Sequence, residues 1–410
     1  MENLVELKVE KQAYGGDAIG KLPDGRVVFI PYAIPGEVVR VNLLEHKPHY
    51  ARAQLIEVIE TSDERILPRC QHFGLCGGCH YQHINYPAQV KTKASILQQQ
   101  MERIGNLKQT PPIIAVASPE TWYYRNHVQF HLTKQGKLGF QEAHSNQTFA
   151  IQECHLPEKV INQIWPQIDI EPLSGVERVN LRSGMEKQVM LILEGNEPQP
   201  PDLNIESLML SVVQTGPAGN VILAGSDHIS MEISNRRFSV SPTSFFQINR
   251  AQAIAMVKLV LEVGELTQSM TVLDVFSGVG LFSAFIAPRV RRLVGIELSP
   301  KACEDYSRNL NEFDNVELYE AAADKVLGSI QFNPDLILMD PPRAGLGRET
   351  VQAVIAQQAA HLVYVSCDPA TLARDGKQLT MGGYSLRKLI MIDMFPQTFH
   401  IESISLWERG

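Results

Sequence analysis

From about residue 240 onward, short apolar runs alternate with helical intervals, and this alternation restricts the possible fold more than any other feature of the chain. The runs Thr271 to Phe276, Arg292 to Glu297, Val316 to Tyr319, Asp335 to Asp340 and Leu362 to Ser366 read as strands, most of them followed by a helical stretch. Strands alternating with helices imply a parallel, doubly wound sheet whose ligands sit beyond the carboxyl ends of the strands. Asn249 is placed to cap a helix carrying Ile254, Val257, Val260 and Leu261 on one face. Two further runs, Leu386 to Asp393 and Ile401 to Trp407, are expected to complete the sheet as an antiparallel edge.

Upstream, residues 4 to 60 alternate apolar and polar positions in short runs: Val5, Leu7 and Val9; Val27, Val28 and Ile30; Val38, Val39 and Val41; Leu55, Ile56 and Val58. Turns at Gly15-Gly16, Asp24-Gly25 and Pro35-Gly36 separate them, which predicts a small antiparallel barrel of about five strands. Such barrels often bind single-stranded nucleic acid, but the shape alone does not distinguish that from simple packing. Residues 61 to about 240 are less regular, with a helical pattern near 87 to 104, strand-like runs at Val128 to Leu132 and Gln188 to Leu193, and turn formers from Asn196 to Pro201. The expected organisation is a barrel over 1–61, a mixed α+β domain over 62–240 and the doubly wound domain over 241–410.

A chain of 410 residues with 44% hydrophobic composition can bury two or three cores. The amino terminus is charged where a secretory leader needs an apolar run, and no stretch approaches the ~18 apolar residues of a membrane span, so a cytoplasmic location is expected. A formal charge of -8 argues against a broad basic surface for nucleic acid. Phosphate contacts would have to come from local groups such as Lys91 and Lys93, Arg103, Arg178 and Arg182, or Arg236 and Arg237, for which solvated surface is the plainer reading. Six cysteines are too few for a disulfide framework in a cytosolic protein and point to ligands, a nucleophile or core packing.

Several clusters carry chemistry. Asp274-Val-Phe-Ser-Gly278-Val-Gly280 follows the first parallel strand, and Glu297 stands about 20 positions further on, where an acidic residue takes ribose hydroxyls. Phe282 and Ser283 replace the third glycine of a pyrophosphate cradle, which favours a phosphate-free nucleoside cofactor such as S-adenosylmethionine. Asp340-Pro-Pro-Arg343-Ala-Gly345 and Val365-Ser-Cys367-Asp-Pro369 end two further strands and so share the ligand edge. Cys367 there is a candidate nucleophile, whereas Cys303 within a helix reads as core filling. C5 of uracil is a weak nucleophile until sulfur adds at C6, and a base must then remove the C5 proton. Glu402 and its rival His400 are the candidates for that base. Cys70, Cys76 and Cys79, with Cys154 distant, form a four-thiol set suited to zinc or to an iron–sulfur cluster, and Gly74, Gly77 and Gly78 would let the chain wrap it closely.

Taken together with Phe245-Phe246-Gln247-Ile248-Asn249, these motifs make the whole chain resemble the RNA uracil-C5 methyltransferases, and within them bacterial 23S ribosomal RNA enzymes with an amino-terminal TRAM barrel and a [4Fe-4S] cluster. The resemblance implies a Rossmann-like S-adenosylmethionine methyltransferase domain preceded by an OB-like TRAM barrel and a mixed α+β cluster-bearing domain. It implies that Gln247, Phe276, Glu297 and Asp340 contact S-adenosylmethionine, that Cys367 is the nucleophile and Glu402 the base, and that Cys70, Cys76, Cys79 and Cys154 hold the cluster. Asp324 would lie near the adenine, and Leu281 stands where some relatives carry a polar residue. An RNA substrate, 23S ribosomal RNA before transfer RNA, a flipped target base and a monomeric enzyme complete the expectation.

Two other readings compete. Methyl transfer to an exocyclic base nitrogen predicts an aromatic residue after Asp340-Pro-Pro, where Arg343 stands, and has no use for Cys367. An RNA-binding redox sensor with a vestigial cofactor pocket would not need Gln247, Glu297, Asp340, Cys367 and Glu402 together.

Overall fold

Strand Thr271–Val275 is buried at every residue, as a central parallel strand covered by helices on both faces must be. In the computed structural model, which describes residues 4–107, 109–171, 175–196, 203–204, 210–217 and 219–410, it lies within an eight-stranded sheet. The order is Val316–Glu320, Arg292–Glu297, Thr271–Val275, Leu336–Met339, His361–Ser366, Glu402–Arg409, Tyr384–Ile392 and Ile113–Val116. The first five strands are parallel, and Glu402–Arg409 runs antiparallel to both neighbours, as the sequence pattern predicts. From Thr271–Val275 the chain builds outward to Val316–Glu320, then crosses back to Leu336–Met339 on the other side. That reversal opens a crevice between the ends of Thr271–Val275 and Leu336–Met339, the general place for a ligand in such sheets.

The outermost strand, Ile113–Val116, comes from the region expected to form the central domain and pairs in parallel with Tyr384–Ile392. Helix Tyr86–Arg103, capped by Asn85, whose side chain accepts from the Ala88 amide at 3.0 Å, packs on helix Pro369–Met381. Residues 86–116 are therefore built onto the C-terminal sheet. Helix Arg250–Gly264 starts at Asn249, whose side chain accepts from the Gln252 amide at 3.2 Å. Its buried face is Ala253, Met256, Val257, Val260, Val263 and Gly264, while Ile254 of the expected face is 38% exposed. The small residues let the helix approach closely: a Cβ at Gly264 would stand 3.3 Å from Leu336.

The amino-terminal strands Leu4–Gln12, Ala18–Lys21, Val27–Ile30, Tyr50–Glu60 and Val38–His46 close into a barrel in that order. Leu7, Val9, Val28, Ile30, Val39 and Val41 fill its interior. It is not wholly antiparallel, because Val27–Ile30 and Tyr50–Glu60 run parallel. An odd number of strands cannot close with alternating directions throughout, so one neighbouring pair must share a direction.

Between the barrel and the C-terminal sheet lies a seven-stranded sheet running from Gly219–Ala224 through Val189–Gly195 and His127–Leu132 to Thr148–Ala150. The expected strand-like runs fall within it. The turn formers beyond Asn196 lie outside the described residues. Among the described residues no helix is long and apolar enough to cross a membrane.

Candidate active site

The two glycines of the first motif do different jobs. Gly278 (φ +54) has open space where a Cβ would be, so a ligand can approach its backbone, whereas a Cβ at Gly280 (φ +86) would meet Leu310 at 2.3 Å. Gly280 thus serves the packing of the loop on helix Pro300–Asn309. Phe276 holds a left-handed backbone (φ 66) and donates its amide to the Ile296 carbonyl at 2.9 Å. A left-handed non-glycine residue at the ligand edge is the kind of strain that functional sites retain.

Glu297 ends the adjacent strand. Its carboxylate accepts the Gly278 amide at 2.9 Å on one oxygen and the Leu298 and Ser299 amides at 2.8 and 2.7 Å on the other, which fixes it against the loop that follows Thr271–Val275. Asp274 is buried, accepts from the Ser283 hydroxyl at 2.6 Å and has one oxygen without a partner. Burial pushes its carboxyl up to about 7 against the pull of the Ser283 bonds, and the Glu297 charge adds to the rise. Leu281 turns its side chain into the core, so that position supplies no polar side chain to a ligand. Gln247 is buried, and its carbonyl accepts from the Asn126 side chain at 2.9 Å. Asp324 opens the short helix Ala323–Leu327 and pairs with Lys325 at 3.1 Å.

Cys367 follows strand His361–Ser366, and Glu402 opens its neighbour Glu402–Arg409, so the hydrogen-bonded pairing of these strands brings the two together. Burial, then the charges of Glu402 and Asp340, push the half-buried Cys367 thiol up to about 12, while the Arg343 guanidinium opposes them. Burial and Asp340 raise the Glu402 carboxyl well above the usual range, again against Arg343. Burial and the charge of Asp274 raise Asp340 to about 7. Asp340 and Arg343 thus act on both Cys367 and Glu402. His400 lies 3.4 Å from the Arg343 guanidinium, and burial followed by that charge lowers its imidazole to about 3. A base with so low an affinity for protons is poorly suited to remove one, whereas the raised Glu402 carboxyl holds a proton strongly.

Cys70, Cys76, Cys79 and Cys154 are all free thiols lining one cavity of about 980 Å³, which Phe245, Ile248 and Arg343 also line. Burial raises all four, Cys79 and Cys154 to about 12. The Arg125 guanidinium counters that rise at Cys76, Cys79 and Cys154. The Gly78 amide also donates to Cys76 Sγ at 3.4 Å. Among the described residues no group of three or more His, Cys, Asp and Glu side chains has the geometry to hold a metal ion as it stands. By chemistry, four thiols facing one space with a cation set against their ionised forms suit a group that takes four thiolates. Cys303 is buried, with its thiol 3.6 Å from the Glu297 carbonyl, as expected of core filling.

The basic residues divide. Lys93 is wholly buried, bonded to Asp393 at 2.6 Å and to the Phe395 carbonyl at 2.9 Å, and Arg182 is buried on the carbonyls of Ser241 and Ser244. Neither is available to RNA phosphates. Arg236 is committed to Glu312 and to the Asn309 carbonyl. Nothing in the sequence marks Arg125 as the counter-charge of the thiols, and Tyr14, whose hydroxyl donates to Asp368 at 2.8 Å, is marked only by the glycine pair that follows it.

Comparison with known proteins agrees with this geometry. The sequence profile of the tRNA (uracil-5-)-methyltransferase family matches residues 202–409, and that of the TRAM domain matches residues 4–56. The chain is 33% identical to an RNA methyltransferase of Aquifex aeolicus, over 98% of each protein. It is 32% identical to one of Halalkalibacterium halodurans, over 99% of this chain and 97% of the other. The structure of the Pyrococcus abyssi tRNA (uracil-54, C5)-methyltransferase in complex with S-adenosyl-L-homocysteine matches with a TM-score of 0.77 at 25% identity, over 98% of this chain and 99% of that one.

Proposed function

Because the chain belongs to the tRNA (uracil-5-)-methyltransferase family and is an S-adenosylmethionine-dependent RNA (uracil-C5)-methyltransferase, we propose that it methylates one specific uridine of 23S ribosomal RNA through a covalent bond from Cys367 to C6. The observation that carries the mechanism is that strand pairing brings Cys367 and Glu402 to one sheet edge, where Asp340 and Arg343 act on both. The Cys367 thiolate adds to C6, and the electron pair moves to make C5 nucleophilic. Bound S-adenosylmethionine supplies the methyl electrophile, and its sulfonium charge favours the ionised forms of the groups around it. Glu402 then takes the C5 proton, and the electrons of that bond restore the C5–C6 double bond as the thiolate leaves. Arg343 offsets the negative charge that builds up through these steps.

Gln247, Phe276, Glu297 and Asp340 hold the cofactor in this reading, with the Glu297 carboxylate already fixed by three amides. Cys70, Cys76, Cys79 and Cys154 hold a [4Fe-4S] cluster, whose role is structural because methyl transfer of this kind moves no electron to or from the protein. The barrel over 1–61 and the cluster-bearing part over 62–240 grip the RNA around the target, and residues 241–410 carry out the chemistry.

The likeness to the Pyrococcus abyssi enzyme supports a second reading in which the substrate is transfer RNA. Release of tritium from C5-labelled uridine separates the possibilities when 23S and transfer RNA transcripts are compared with wild-type protein and Cys367→Ala. Cofactor-dependent release from 23S RNA, lost in the variant, is the expected result. Release from transfer RNA alone would replace the substrate, and methyl incorporation without tritium release would overturn the C5 mechanism.

A further inference from the structure

The first turn of the barrel reaches the reaction centre. Tyr14 donates its hydroxyl to Asp368 Oδ2 at 2.8 Å, a contact across 354 positions of sequence. The other Asp368 oxygen, Oδ1, accepts the Ala370 and Thr371 amides at 2.9 Å and so caps the helix that follows Cys367. The same Tyr14 ring meets Phe399 edge-on at 5.7 Å, and Phe399 packs on His400 at 4.3 Å and on His80 at 4.6 Å. One barrel side chain thus touches the segment carrying the nucleophile and the segment carrying the base.

The turn itself is stiff. Gln12 is buried and donates to the Gly16 carbonyl at 2.7 Å, while Ala13 donates to the Asp17 carbonyl at 2.8 Å. A Cβ at Gly16 would stand 3.0 Å from the His80 ring, so the turn lies against the segment that follows Cys79. The His80 and Tyr81 amides in turn donate to the Gln397 carbonyl at 2.9 and 3.0 Å.

We propose that Tyr14 is a positioning residue for the reaction: its hydroxyl orients Asp368 and with it the Cys367 backbone, so the active site is incomplete without the barrel. This rests on the reading of Cys367 as nucleophile. Burial and the bond to Asp368 push the phenol above its ordinary value, so it remains a donor throughout the working range. Catalytic geometry is sensitive to displacements of this kind, since an error of about 1 Å can cost on the order of 100-fold in rate.

The test uses full-length protein and RNA carrying 5-fluorouridine. Cys367 adds to C6 and C5 is methylated, but fluorine stands where the proton would be, so no base can complete the elimination and the protein–RNA adduct persists on a denaturing gel. At saturating RNA, Tyr14→Phe is expected to form the adduct roughly 10- to 100-fold more slowly than wild type, with unchanged affinity for S-adenosylhomocysteine. Asp368→Asn, from the other side of the same bond, should also be slow, and Tyr14→Phe should add little in that background. Adduct formation by Tyr14→Phe at the wild-type rate would overturn the proposal, as would a defect that saturating RNA repairs, because Tyr14 would then be an RNA contact. Additive losses in the double variant would overturn it too. Absence of adduct in the wild-type protein would remove the Cys367 mechanism together with this proposal.

Discussion

Cys367 and the cavity thiols Cys79 and Cys154 are all raised to about 12, yet they sit in opposite kinds of surroundings. At Cys79 and Cys154 burial dominates, other cysteines add to it, and the Arg125 guanidinium opposes it at both. At Cys367 burial is reinforced by two carboxyl groups, Glu402 and Asp340, and opposed by Arg343. In the proposed reading, the same displacement therefore describes both a set of cluster ligands and a nucleophile placed beside its base. A raised thiol alone identifies neither; what surrounds it does.

The sharpest break in this comparison is removal of one thiol from each region. Cys367→Ala should lower methyl transfer by roughly 10⁴-fold or more while S-adenosylhomocysteine still binds, as read by incorporation of labelled methyl groups and by calorimetry. Glu402→Gln should lower turnover by about 10²–10⁴-fold and leave the protein covalently joined to RNA, because the steps before proton removal survive. A slow variant without that adduct would shift the base role away from Glu402. Cys154→Ala should act differently, with iron and visible absorbance lost and methyl transfer down by about tenfold. Its effect would reach the base segment through the bonds from His80 and Tyr81 to Gln397. Iron content equal to wild type would remove Cys154 from the ligand set.

The carboxyl edge of the parallel sheet was readable from the sequence because its determinants are local. Strands buried on both faces appear as apolar runs, and the residues that follow them fall on the same edge whatever their sequence separation. The five-strand barrel was readable for the same reason, apart from the one parallel pair that closure demands. What local pattern cannot show is a partner far along the chain. Lys93 reads as a surface cation until Asp393, 300 positions away, is placed against it. Ile113–Val116 is too short to announce that it will pair with Tyr384–Ile392. Tyr14 looks like a turn residue until Asp368 is folded onto it.

The mildest test concerns Asp340, which belongs to the reactive region and should make it less stable as pH rises. Its carboxyl is raised from 3.8 to about 7 in the fold by burial and by Asp274, so the folded chain holds this proton more tightly than the unfolded chain does. The resulting stabilisation is complete below about pH 3.8 and is lost as pH rises through about 7. Asparagine cannot ionise and does not undergo that loss. The melting temperature of Asp340→Asn relative to wild type should therefore climb between pH 5 and pH 8, gaining roughly 2–4 °C for each kcal/mol relieved, while methyl transfer falls. Parallel melting curves across that range would show that Asp340 ionises normally and would weaken the picture of a carboxyl held ready by its neighbours. A gain in stability coupled to a loss of activity would mark the crevice as a place where the chain keeps an unfavourable charge because the reaction uses it.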